Sequence, residues 1–310
     1  MLSRYYYERL QEGKKAQYLE ILNGLSNRKE KIPIADPLQA EVIEAVKMDN
    51  PQLYYVDFSR WKCTETMKQR FLSPEYLYNR AEQENMDKRT DSLCQYFSAL
   101  DGERYIRKVH NYFVKNVRYD EQEKLGKKFA ENHTAAGPLC FGKGVCEGIS
   151  LAFAYLLQKR GIDCTVAEGQ SEDEGHMWNV VNLNGRNYHV DVTNDITQTE
   201  DQFGKPCYFY YLIKDEAMAK TVENVGQFHC IHSEDNPFYT SGKVFDDIRL
   251  KEYLRRVAPH ESVVFFQYSG NRTADEIVKE YFACTQTGEP FSVRYMVDRT
   301  NSIFYFARQV

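Results

Sequence analysis

The sequence predicts an α+β fold, and three observations carry that expectation. A helical apolar pattern runs from Val145 to Arg160, with Ile149, Phe153, Leu156 and Leu157 at helical spacing. Two strand-like runs, 176–183 and 186–193, flank Asn184-Gly185, the strongest short-range hairpin signal. Helical patterns dominate residues 1–100, whereas residues 233–310 mix strand candidates with a capped helix.

Taken in order, residues 3–27 read as an amphipathic helix with Tyr18, Ile21, Leu22 and Leu25 on one face. Asp36-Pro37 followed by Gln39 reads as a helix start, with a capping acid and proline at the first position. That helix runs to Met48, where Asp49-Asn50-Pro51 stops it. Leu53–Val56 is a short strand candidate, Ser73-Pro74 starts another helix, and Arg104–Asn116 is a further one. Gln83–Ser92 is polar and reads as exposed. Residues 1–100 are therefore expected to form a mostly helical region packed on a core at 101–232. Beyond it, Val263–Phe266 is a buried strand candidate and Thr273 caps a helix through Ala283. Phe291–Val297 pairs with Ser302–Phe306 around Asp298–Asn301. This gives 233–310 as a small α/β region.

Composition narrows the function. A chain of 310 residues is long enough for about two domains. A net charge of −5 and a pI near 5.9 offer a nucleic-acid backbone no electrostatic footing. The longest fully apolar stretch, Leu151–Leu157, falls far short of a membrane span. Met1–Glu8 lacks the apolar run of a signal peptide. The eight cysteines are scattered without disulfide-framework spacing, which fits a reducing compartment. A cytoplasmic location is expected. Oligomeric state is not legible.

The chemistry-bearing residues are Cys146, His176 and Asp191. Cys146 falls in the first helical turn after the flexible Gly142-Lys143-Gly144. There, unpaired N–H groups and the positive dipole end favour a thiolate. Glu147 in the first turn, Lys159 and Arg160 in the last, and Gly161 beyond them complete the helix. In the hairpin, a two-residue turn sets Leu183 opposite Arg186, hence Trp178 opposite Asp191. His176 shares the face of Trp178 and is the diagonal neighbour of Asp191. The carboxylate can then hold one ring nitrogen and leave the other for a nucleophile. Singly, each residue has an ordinary role in packing or on a strand edge. Order, context and register together favour one cysteine–histidine–carboxylate unit.

These residues resemble the transglutaminase-like superfamily, whose core shares the papain-type fold: a helix bearing the cysteine, packed on an antiparallel sheet. The resemblance rests on Lys143–Gly148, on His176-x-Trp178-Asn179 and on Tyr188-His189-Val190-Asp191-x-Thr193, stretches typical of bacterial members. It extends to Val109–Tyr112, Asn116–Asp120 and Tyr208–Ile213, and covers residues 100–232. It implies Cys146 as nucleophile, His176 as general base and acid, and Asp191 as orienting carboxylate. One departure is Asn194-Asp195-Ile196, where many relatives carry a tryptophan that walls the cleft and paired acids.

The expected function is cysteine-dependent acyl transfer on peptide or glutamine amides, with hydrolysis favoured over transamidation. No cofactor and no calcium are implied, and the expected partner is a peptide or protein substrate. The alternative is a non-catalytic transglutaminase-like module that binds peptide or protein. Tyr119, in the upstream motif, is the candidate second oxyanion donor beside the Cys146 N–H. Trp178 is a candidate cleft wall. Glu172-Asp173-Glu174 reads first as a solvated loop and second as an acidic rim for cationic groups. His229-Cys230-Ile231-His232 matches no structural-zinc spacing, so packing is preferred there and no metal is expected.

Overall fold

The computed structural model describes the chain apart from residues 68, 172–173, 200–206, 224, 286–291 and 310. It is an α+β protein of helices and largely antiparallel sheets.

The expected helix over 3–27 is two helices, α1 (Tyr5–Arg9) and α2 (Glu12–Ser26), because Leu10 and Gln11 are extended. The Asp49 carboxylate accepts the Tyr6 and Tyr7 N–H groups at 3.1 and 2.8 Å, so α1 is capped by another element and set in its own direction. After β1 (Ile32–Ile34), α3 (Ala40–Asp49) begins at Ala40 rather than Pro37. The Gln17 amide donates to the Asp36 and Pro37 carbonyls at 2.9 and 3.3 Å, which ties down the residues expected to open the helix.

Leu53 closes a short 3-10 turn, and β2 (Val56–Glu65) starts only at Val56. Ser73-Pro74 does not start a helix. It lies inside β3 (Arg70–Tyr76), with Pro74 opposite Trp61 beside a register shift. A bulge tolerates proline because the ladder is already broken there. The strands form an antiparallel sheet in the order β1-β3-β2 that the sequence did not suggest. The helix start falls instead at Asn79, whose capping box with Glu82 opens α4 (Arg80–Tyr96).

The centre comprises α5 (Gly102–Asn116), β4 (Arg118–Tyr119), β5 (Lys143–Gly144) and α6 (Cys146–Lys159). Then follow β6 (Cys164–Ser171), β7 (Glu174–Leu183), β8 (Arg186–Val190), α7 (Val192–Thr199) and β9 (Tyr211–Ile213). Strands β6 to β9 make an antiparallel sheet in sequence order. Alternation along β7 feeds two cores. Val181 and Leu183 join α6 residues Ile149, Phe153, Leu156 and Leu157, while Trp178 and Val180 join the opposite cluster.

Two short helices, α8 (Asp215–Met218) and α9 (Pro237–Thr240), lead into β10 (Val244–Phe245) and α10 (Asp247–Val257). Then come β11 (Val263–Tyr268), α11 (Ala274–Cys284), β12 (Ser292–Asp298) and β13 (Ile303–Gln309). Their sheet runs β10-β11-β13-β12. Phe291, expected in the last hairpin, lies outside the described residues. Strand β13 alternates as well. Ile303, Tyr305 and Ala307 enter the Trp178 cluster, and Phe304 and Phe306 meet Leu250, Leu254, Ile277 and Tyr281 of α10 and α11.

Candidate active site

Local chemistry sets Cys146 at the start of α6. Val145 is the extended N-cap and Cys146 the first helical residue, half-buried. The strand pair β4–β5 runs just ahead, with Tyr119 opposite Gly144. The Asp120 N–H donates to the Gly144 carbonyl at 3.0 Å, and the Val145 N–H to the Asn132 carbonyl at 3.2 Å. The Asp120 carboxylate accepts from Gln122 N–H at 3.0 Å, from Asn132 Nδ2 at 2.8 Å and from Lys143 Nζ at 3.0 Å. Three loops are thereby stitched around the helix start. Gly148 is required by their closeness: a Cβ there would overlap the Asn132 carbonyl oxygen and sit 2.9 Å from that of Thr134.

The hairpin turn has Asn184 and Gly185 at φ 53° and 82°, the left-handed pair a type I′ turn needs. Leu183 faces Arg186, and the ladder closes at Asn179 opposite Val190. Continued by one pair, this register sets Trp178 opposite Asp191. The return strand is shorter than the expected 186–193, since β8 ends at Val190. Asp191 instead caps α7: its Oδ1 accepts the Asn194 N–H at 2.9 Å. Its Oδ2 lies 2.6 Å from His176 Nε2 and accepts Asn194 Nδ2 at 2.8 Å. Asp191 is fully buried.

The structure thus brings Cys146, His176 and Asp191 together. Burial disfavours the charged form of His176. The Asp191 carboxylate, by charge and hydrogen bond, and the Cys146 sulfur, by hydrogen bond and charge, outweigh it and push the ring up to about 10. With Nε2 on Asp191, the other ring nitrogen, Nδ1, is left for the sulfur. Tyr119 is half-buried. Burial, then the charge of Cys146, then those of Glu121, Glu174 and Glu123 hold its hydroxyl in the neutral form. Trp178 is fully buried and stacks on His176, with centroids 6.1 Å apart and planes 16° from parallel. It is a floor beneath the histidine rather than an exposed wall.

Sequence reading missed Asn194, whose two donors both hold Asp191. Its signal was its place three residues after an aspartate, the spacing of a helix cap. It also missed the set around Glu147. His133 lies 2.6 Å from Glu147 and 2.7 Å from Glu123, and Lys47 pairs with Glu147. Glu147 therefore ties α3 to the start of α6. Glu172 and Asp173 lie outside the described residues. Of the 229–232 run, His229 is exposed and His232 lies 3.4 Å from Glu234, so neither joins the buried Cys230. Cys230 instead groups with His189 and Asp215, their potential ligand atoms lying within 4.8 Å of one another.

Residues 91–192 match the model of the transglutaminase-like superfamily, a span that contains Cys146, His176 and Asp191. Among solved structures the chain is similar to a TGase at 10% identity and a TM-score of 0.33, over 53% of this chain and 50% of that one. It is also similar to a candidate cysteine protease from Cytophaga hutchinsonii, at 12% identity and a TM-score of 0.28, over 43% of this chain and 61% of that one. The match thus spans about half to three-fifths of each of those proteins. No curated protein matches the chain. Among the described residues no helix is long and apolar enough to cross a membrane.

Proposed function

We propose, from the match of residues 91–192 to the transglutaminase-like superfamily, that the protein is a cysteine-dependent acyl-transfer enzyme acting on peptide or glutamine amides. The reading rests on one observation: His176 sits between the Cys146 sulfur and the Asp191 carboxylate, 2.6 Å from the latter. In this reading the Cys146 thiolate attacks the amide carbonyl and forms a C–S bond. The His176 imidazolium gives its proton to the departing amine as the C–N bond breaks. Asp191 holds the ring and balances its charge. The oxyanion is taken by the Cys146 N–H and the Tyr119 hydroxyl. Water then adds to the thioester carbonyl, its proton passes to His176, and the C–S bond breaks to release the acid. An amine in place of water gives a new amide. Water stands at roughly 55 M, so hydrolysis leads unless the site binds an amine and excludes water.

The test measures hydrolysis of a peptide-amide library and incorporation of a labelled amine side by side. Cys146→Ala and His176→Ala are expected to abolish both activities, and the double variant to be little worse than either alone. Undiminished turnover by Cys146→Ala would refute the assignment. A folded wild-type protein that binds peptide but is silent in both assays would favour the non-catalytic module.

A further inference from the structure

The cluster behind Trp178 has no part in the reaction above. The Trp178 Nε1–H donates to His189 Nδ1 at 2.9 Å, and His189 Nε2 lies 2.8 Å from Asp215 Oδ1. Trp178 and His189 are fully buried. Asp215 opens α8, and its side chain reaches solvent with 24% of its surface. Cys230 stands beside Asp215. Burial, then the charge of Asp215, keeps its sulfur protonated.

His189, Asp215 and Cys230 invite a metal reading, but the protons argue otherwise. An indole N–H can only donate, so His189 Nδ1 must accept. The neutral ring then carries its proton on Nε2, which donates to Asp215 and offers no lone pair to a cation. The chain of contacts runs the other way, from solvent-facing Asp215 through His189 to Trp178, and by ring stacking to His176.

We infer that His189 and Asp215 are positioning residues, which hold the Trp178 indole in register beneath the His176 ring. The inference rests on the reading of His176 as the partner of Cys146. The ring face carries partial negative charge, so an indole fixed parallel to the imidazole favours its cationic form. A carboxylate behind His189 makes its Nδ1 a stronger acceptor and draws on the indole N–H. His176 is faced by Asp191 and Cys146 on its reacting side. His189 is faced by Asp215, with Cys230 beyond it.

The test uses the full chain and no substrate. Iodoacetamide labelling of Cys146, mapped by mass spectrometry, is timed at pH 6 and pH 9. In His189→Leu the Cys146 rate at pH 6 is expected to fall roughly threefold to tenfold relative to that at pH 9. His189→Gln, whose amide can accept from the indole and donate to Asp215, is expected to restore most of it. Asp215→Asn, at a partly exposed site, is the second variant should His189→Leu not fold. There the Trp178 indole N–H resonance is expected to move upfield as its acceptor weakens. An unchanged pH 6 to pH 9 ratio and an unmoved indole resonance would overturn the inference while leaving the parent reading intact. A wild-type Cys146 that labels no faster than exposed Cys63 would overturn both. One equivalent of zinc retained by the wild type and lost in Cys230→Ser would also overturn it, since Nε2 would then be a ligand rather than a donor.

Discussion

At the scale of single residues, Asp191 serves two elements at once. One oxygen caps α7 through the Asn194 N–H, and the other is shared by His176 and Asn194 Nδ2. Asn194→Ala removes a donor to a charged acceptor, a bond worth about 1.5–3 kcal/mol. We expect kcat to fall about tenfold or more with KM little changed, read by steady-state kinetics on whichever amide the library yields. Asp191→Asn can still orient the ring but cannot balance its charge, so it should keep more activity than His176→Ala. Its stability carries a pH signature. His176 is raised from 6.5 to about 10 in the folded state. Its pairing therefore contributes in full below about pH 6.5 and is lost as pH rises through about 10. Urea unfolding should show the largest gap between wild type and Asp191→Asn near pH 6, shrinking toward pH 10. A gap that stays constant over that range would mean that no imidazolium–carboxylate pair exists.

At the scale of elements, legibility followed locality. The α6 helix, the Asn184-Gly185 turn and the helix capped by Thr273 are each specified by residues within a few positions of one another, and each stands where the residues suggested. The errors fall where a distant group decides. Asp49 caps α1 from another helix, Gln17 ties down the loop before α3, and Pro74 sits beside a bulge set by β2. The same limit hid the contact of His189 with Asp215, since α8 becomes a partner of the hairpin only on folding, whereas the contacts of Asn194 are local to Asp191. Gly148, quoted from the sequence only as part of the Lys143–Gly148 stretch, is a close contact between the first turn of α6 and the loop at 132–134. Alanine would improve helix propensity at that position. The obstructing atoms are backbone carbonyls that cannot swing aside, so Gly148→Ala is expected to destabilise by about 1–3 kcal/mol. Thermal unfolding checks this, and a variant as stable as wild type would show that the loop gives way freely.

At the scale of the whole molecule, the three regions expected from sequence are joined by shared cores. One cluster runs from Tyr18, Ile21 and Val46 to Phe153 and Val181, so the N-terminal elements and the central sheet bury the same surface. A second holds Trp178 and Phe209 together with Phe238 and Tyr305, which binds the central sheet to β13. Tyr305 is at its middle. Its ring lies 5.1 Å from Phe209 and 5.3 Å from Phe265, and its hydroxyl accepts the Tyr208 N–H at 3.1 Å. Surfaces shared in this way should not come apart in stages, and we expect one cooperative transition. The two tryptophans make this measurable. Trp61→Phe removes the indole in β2 and leaves Trp178 as the reporter of the central sheet, while far-UV circular dichroism reports every region. The urea midpoints of the two signals should coincide. Tyr305→Ala in that background should cost about 3 kcal/mol and move both midpoints together. A biphasic dichroism curve, with the Trp178 midpoint unmoved, would show instead that residues 233–310 unfold by themselves and that β13 is a lodger on the central sheet rather than part of its core.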